Sequence, residues 1–235
     1  MTSYYQDASE QFDKIISKKN SILLNNKYTI PIKKIFLKIY AINYIQNRVE
    51  VRKRFTSDYC KVGFSCLLEA FLLILDNYIR GSELVLRSSL ENYLKFIIYS
   101  LDNEKEINDR SYTINKTRLT IIINSKFSGY FRRRADSING SMEANYKKLS
   151  AISHSLVTES KQNMITYVNQ IDIINEQSTN SVINRFDDIL KYVLEYYVII
   201  CKDSMRKWIT DDLNKLLRLS FSKGKVDNLI FELKR

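Results

Sequence analysis

Apolar positions recur along most of the chain at the three- to four-residue spacing of helices, and hardly anywhere with the alternation of strands. Residues 5–20 read as a polar opening helix. Pro31 follows the polar stretch NNKYTI and suits the first turn of a second helix. There Ile35, Phe36, Ile39, Ile42 and Ile45 recur at helical spacing as far as about Arg54. Ser57 and Asp58 offer a cap to a third helix, which runs to about Arg80 through CLLEAFLLILDNYI. That helix is apolar on most sides, so it is expected to be the central, most buried one. Gly81-Ser82 marks a break or kink, and SELVLRSSLENYLKFIIYSLD forms a fourth helix ending near Asp102.

Beyond Asp102 the pattern is mixed. The run RLTIIIN is β-branched and fits either a strand or a turn of helix. FRRRADSINGS is basic and then turn-like. Ser141 is expected to cap a helix that carries His154, with Met142, Tyr146, Leu149 and Leu156 on its buried face. Residues 157–177 read as a polar connection, and Thr179 to Thr210 holds the longest helical pattern. Asp211-Asp212 caps a last helix, and Gly224 precedes a short amphipathic segment. One proline and five glycines supply few turns, which favours long helices. The expected architecture is all-α: a single helical bundle of about six to eight helices. It divides into a polar N-terminal helix (1–30), the bundle (31–222) and an amphipathic C-terminal tail (223–235).

Composition narrows the function classes. A hydrophobic fraction of 45% is enough for a real core. Lys and Arg total 37 against 26 Asp and Glu, a formal charge of +11 that draws polyanions such as RNA or DNA. Cys60, Cys66 and Cys201 are odd in number and widely spaced, and the N-terminus lacks a signal-peptide pattern, so a reducing cytoplasmic setting is expected. Glu69 and Glu195 interrupt the two most apolar runs, which speaks against a membrane span. With one histidine and no CxxC spacing, neither a metal nor a cofactor is expected. Phosphate-cradling glycine loops and the GxSxG elbow are missing.

Two helices carry candidate chemistry. On the fourth, Tyr93, Leu86, Ile97, Leu90, Leu101, Leu94 and Ile98 form one arc, and Arg87 falls inside it with Glu83 and Glu91 at i−4 and i+4. A charge on a core-facing arc needs a partner. Arg87 is therefore either a structural ion pair to a neighbour or an arginine aimed at phosphate. In NYKKLSAISHS, Lys147 lies almost two turns before His154, with Ser150 between them. A cation, a hydroxyl and an imidazole in one column suit work on a phosphodiester, because imidazole exchanges protons near neutrality and a fixed cation stabilises charge on phosphorus. The alternative is a surface histidine bonded to a neighbour.

The succession LRSSLENYLKFIIYSLD, a basic interval and YKKLSAISHS resembles a loose group of bacterial helical proteins. They have an Arg-x-x-x-Glu helix followed by a Tyr-x-x-Leu-Ser-x-x-x-His helix, and the group looks like a relative of the HEPN superfamily. The resemblance covers about residues 60–200, which would form a HEPN-like core. It implies a metal-independent endoribonuclease of toxin–antitoxin or antiviral-defence type, commonly a homodimer, with an Arg-x4–6-His motif at the interface. His154 matches the family histidine, while Lys147 and Lys148 stand where arginine is usual; lysine keeps the charge and loses the bidentate fork. Arg87 and Glu91 match the polar pair of the earlier helix. The implied partners are RNA, a second copy, and an antitoxin or defence-complex protein. Further nucleic-acid contacts are expected at Arg52, Lys53 and Arg54, and at Arg132, Arg133 and Arg134 with Tyr130 as a stacking ring. A non-catalytic module binding nucleic acid or protein explains the same charge.

Overall fold

The computed structural model describes residues 3–24, 27–102, 107–154 and 173–235. They form ten helices and no strand. In chain order these are α1 (Tyr4–Ile16), α2 (Thr29–Asn47), α3 (Asp58–Leu75), α4 (Ile79–Asp102), α5 (Tyr112–Lys126), α6 (Gly129–Ser153), α7 (Glu176–Ile200), α8 (Lys202–Met205), α9 (Thr210–Leu217) and α10 (Lys223–Lys234). A 3₁₀ turn, Arg52–Phe55, joins α2 to α3. No described helix is long and apolar enough to cross a membrane.

The central helix is α7 and not α3. Its buried residues run from Ser178 to Ile200 and include Val182, Phe186, Ile189, Leu190, Val193, Leu194, Tyr196 and Tyr197. Helices α2, α4 and α6 pack around it. By contrast α3 lies chiefly against α4 and, more lightly, α2, so that Val62, Leu68 and Leu72 stay exposed. Hydropathy alone placed α3 at the centre, but α7 covers its charged positions by pairing them. Arg185 of α7 binds Glu83 of α4, both buried. Asp187 holds Lys38 of α2 at 2.5 Å and Lys191 at 2.6 Å. Glu195 lies between Arg134 of α6 and Lys225 of α10. Paired in this way, charges enter a core that would otherwise reject them.

Local signals set several helix ends. The Ser57 hydroxyl accepts from the Cys60 N–H at 3.3 Å and starts α3 as expected. The break after α3 falls at Asn77, whose φ of 58° is one that asparagine tolerates, so Gly81-Ser82 lies inside the first turn of α4 instead of interrupting it. RLTIIIN is helical: Leu119, Ile122 and Ile123 of α5 are buried at i, i+3 and i+4. FRRRADSINGS is helical too, and α6 begins at Gly129, so Ser141 lies mid-helix and caps nothing. Ala135, Ile138, Asn139 and Met142 continue its buried stripe through the segment read as turn-like. The pattern from Thr179 to Thr210 is divided, with α7 ending at Ile200. Asp211 and Asp212 occupy the first turn of α9, where they complement the helix dipole. The C-terminal tail is docked as α10 through Val226, Leu229, Ile230 and Leu233, and α1 is held by buried Ala8 and Phe12. The polar connection expected at 157–177 lies largely outside the described residues, as does Leu156.

Candidate functional site around His154

His154 is the residue on which α6 ends. Its main-chain N–H donates to the Ser150 carbonyl at 3.1 Å, its ψ of 8° leaves the helical range, and its side chain is exposed. One turn of helix therefore presents the imidazole at a terminus and not on a helix flank. Ser150 contributes through its carbonyl, which also accepts the Ser153 hydroxyl at 2.8 Å.

Arg87 fixes this end of α6 to α4. Its guanidinium donates to Ser153 Oγ at 2.7 Å and to the Tyr146 hydroxyl at 3.4 Å, and it pairs with Glu91 at 3.2 Å. The Tyr146 hydroxyl in turn donates to Glu91 Oε1 at 3.0 Å. Burial raises the Tyr146 phenol above its ordinary range and the Glu91 charge adds to this, so the ring keeps its proton and remains a donor. Arg87 lies 5.5 Å from the centre of the Tyr146 ring, and the Tyr112 ring of α5 stacks on Tyr146 at 3.7 Å and 3°. Arginine, two tyrosines and a glutamate thus join α4, α5 and α6 next to the histidine. Glu83 does not take part in the expected ladder with Arg87, because Arg185 engages it.

The two lysines differ. Lys147 is 72% exposed and pairs at 2.9 Å with Glu143, which also binds Lys116 of α5 at 3.0 Å. Hydrogen bonds from Lys147 and Lys116 hold the Glu143 carboxyl below the usual range. Lys148 is exposed. Arg87 and Glu91 are thus joined through side chains to Tyr146 and Ser153, whereas Ser150 and His154 are linked to them only through main-chain atoms, with Lys147 on the exposed side of the same helix. Ser153, Tyr112 and Glu143 belong to the cluster and were not singled out, and Tyr146, read as a buried-face residue, binds Arg87 and Glu91 through its hydroxyl. Tyr146 and Ser153 stand seven apart, on one face of α6, and that spacing was a usable signal.

The expected nucleic-acid contacts divide. Arg52, Lys53 and Arg54 are all exposed on their 3₁₀ turn. Arg133 is exposed, and Arg132 reaches Asp136 only at 4.0 Å. Arg134 instead turns inward to the buried Glu195 and serves the fold. Tyr130 is half-buried and packs perpendicular to the Phe131 ring at 5.5 Å. No family model matches the chain, and no curated protein or solved structure does so either. The class that fold and site define is an all-helical protein with an exposed histidine at a braced helix end.

Proposed function

We propose that this chain is a metal-independent ribonuclease with a HEPN-like site, acting in the cytoplasm as the effector or toxin of a bacterial antiviral-defence or toxin–antitoxin system. The observation that carries this reading is the exposed imidazole of His154 at a helix end braced by Arg87. A catalytic base needs access to substrate, which an exposed ring at a helix end supports, and the Arg87–Ser153 contact holds the backbone from which that ring projects. RNA brings its own nucleophile. His154 takes the proton of the 2′-hydroxyl as its oxygen attacks phosphorus, and the 5′-oxygen leaves with a proton returned from the imidazolium directly or through water. Lys147 or Lys148 offsets the charge on the phosphorane. The products are a 2′,3′-cyclic phosphate end and a free 5′-hydroxyl. Arg87 and Glu91 are positioning residues that hold the end of α6. A homodimer and a neutralising or complex-forming protein partner belong to the same proposal through the resemblance of the motifs.

Induction of wild type and His154→Ala at equal soluble levels tests it, with growth and RNA integrity followed together. Growth arrest and RNA fragmentation with the wild type, both lost in the variant, are expected. Equal RNA cleavage by the two proteins would remove His154 from the mechanism. A second reading, a non-catalytic nucleic-acid-binding module, is favoured by the engagement of Lys147 with Glu143 and by lysine standing in place of arginine. It predicts salt-dependent RNA binding without turnover by the purified protein.

A further inference from the structure

A second group of polar side chains lies away from His154, where the end of α2 meets α8 and the turn after it. A cleft of about 610 Å³ opens there, lined by Arg48, Glu50, Asp203, Lys207, Trp208 and Ile209. That volume is in the range of small-molecule sites. Main-chain bonds from Lys207 to the Ser204 carbonyl at 2.9 Å and from Trp208 to the Met205 carbonyl at 3.1 Å shape the turn. Lys234 of α10 adds to them by donating to the Arg206 and Trp208 carbonyls, each at 2.7 Å.

The polar groups of the cleft fall into two sets. Arg48 and Glu50 are committed to each other through bonds of 3.3 and 2.9 Å, and the Arg48 guanidinium lies 4.2 Å from the centre of the Trp208 ring. Asp203 and Lys207 are exposed and have no side-chain partner among the described residues. Trp208 is 6% exposed, and its indole Nε1 is buried without an acceptor. A buried donor left in that state is costly, and an acceptor brought by a ligand would relieve it. Ile209, 69% exposed, adds an apolar wall.

This set fits a flat ligand with two adjacent donors beside one acceptor. Guanine has such an edge: N1–H and N2–H suit the Asp203 carboxylate, and O6 suits the Lys207 ammonium or the Trp208 indole N–H. Adenine and cytosine set an amino group beside an acceptor nitrogen, and uracil has one N–H between two carbonyls. A peptide arginine also carries adjacent donors, but the exposed Arg52, Lys53 and Arg54 repel a cation. Their turn adjoins the cleft. The Arg52 N–H donates to the Arg48 carbonyl at 2.8 Å, and the Arg54 charge acts on the Cys201 thiol where α8 begins. Cations that repel arginine attract phosphate, so charge selects a base that carries one.

We infer that the cleft between Arg48 and Trp208 is a binding site for a guanine nucleotide, with the base edge on Asp203 and the phosphate toward Arg52, Lys53 and Arg54. A free nucleotide and an unpaired guanosine of an RNA strand offer this same chemistry. No residue of the cleft belongs to the His154 cluster, so the inference stands apart from cleavage.

Trp208 is the only tryptophan of the chain, so its fluorescence reports the cleft directly. The full chain is titrated with guanosine monophosphate and adenosine monophosphate, and equilibrium dialysis counts bound nucleotide independently of quenching. The guanine nucleotide is expected to bind about tenfold or more tighter than the adenine one, as a two-bond carboxylate contact discriminates between bases. Asp203→Asn, at an exposed position, keeps one acceptor oxygen and should cut the preference to about threefold or less with helical content unchanged. Guanosine without phosphate should bind more weakly than its monophosphate, and replacing Arg52, Lys53 and Arg54 by alanine should remove that difference. A second arm uses short 2′-O-methyl oligouridylates with and without one central guanosine, which lack the nucleophile for cleavage. A guanine preference seen more tightly in the strand assigns the site to RNA, and one equally tight with the mononucleotide assigns it to free nucleotide. A preference absent from both arms, one that survives Asp203→Asn, or guanosine binding as tightly as its monophosphate would overturn the inference.

Discussion

Arg87 connects a sequence motif to a spatial one. It stands 66 residues before Ser153, and its guanidinium holds the serine that precedes His154. Arg87→Ala removes the cation from Glu91 and the donor from Tyr146 and Ser153, leaving only the Tyr146–Glu91 and Ser153–Ser150 hydrogen bonds, and should cost about 1–3 kcal/mol, seen as a lower melting temperature. His154→Ala, at an exposed position, should change the melting temperature hardly at all while removing the proposed cleavage. The two variants therefore separate bracing from chemistry. The thiols also respond to burial. It pushes Cys60 up to about 11 and Cys201 up to about 12, and it raises Cys66 as well. The native protein should resist a disulfide reagent at pH 8, whereas the denatured chain should react at all three cysteines. The sign follows from linkage. An unfolded thiol ionises near 8.5, so these groups favour the native state below that pH no more than they do at neutrality, and they cost stability progressively as pH rises from about 8.5 toward 11. A denaturation midpoint that fell equally between pH 6 and pH 8 would have another cause.

Pairs of helices show what keeps the bundle together. Gly63 of α3 lies so close to α4 that a Cβ there would meet the Tyr93 ring at 3.1 Å. Gly63→Ala should therefore destabilise by about 1–3 kcal/mol despite the better helix propensity of alanine. Glu83→Gln should also destabilise, by about 1–3 kcal/mol, because it removes the buried carboxylate that Arg185 of α7 binds. Chemical denaturation measures both. The apolar period was enough to read the starts of α2 and α3 and the end of α4, since Pro31, Ser57 and Asp102 lie where local rules place them, but it ran past the ends of α2 at Asn47 and of α3 at Leu75. It failed where polarity hid a helix. FRRRADSINGS carries three arginines and a glycine, but Ala135, Ile138 and Met142 keep the stripe and α7 supplies Glu195 for Arg134. Nothing local to that segment announces a partner 61 residues away. The same blindness put α3 at the centre in place of α7, because hydropathy cannot see charges neutralised across helices. For the candidate site, the Arg87–Glu91 pair was legible as an i, i+4 contact, while its link to Tyr146 and Ser153 required the crossing of α4 and α6.

Across the whole molecule, a formal charge of +11 attracts nucleic acid, but only cations free to face phosphate contribute contacts. Arg134 is engaged by the buried Glu195 and Lys38 by Asp187, so part of the positive charge belongs to the fold. Arg52, Lys53 and Arg54, exposed on one turn, are free of that duty. The two kinds of cation should separate in a salt titration of RNA binding. If the turn faces the strand, replacing all three by alanine lowers the log–log slope by up to about 2, because each lost phosphate contact on a single strand removes about 0.7. Arg134→Ala should leave the slope unchanged and lower the melting temperature instead, since Glu195 then keeps Lys225 as its remaining described cation. An unchanged slope for the triple variant would move the RNA contact away from this turn and toward the exposed lysines beside His154. Cleavage and binding would then share one face of α6, and Lys148→Ala would be expected to lower the slope and the cleavage rate together.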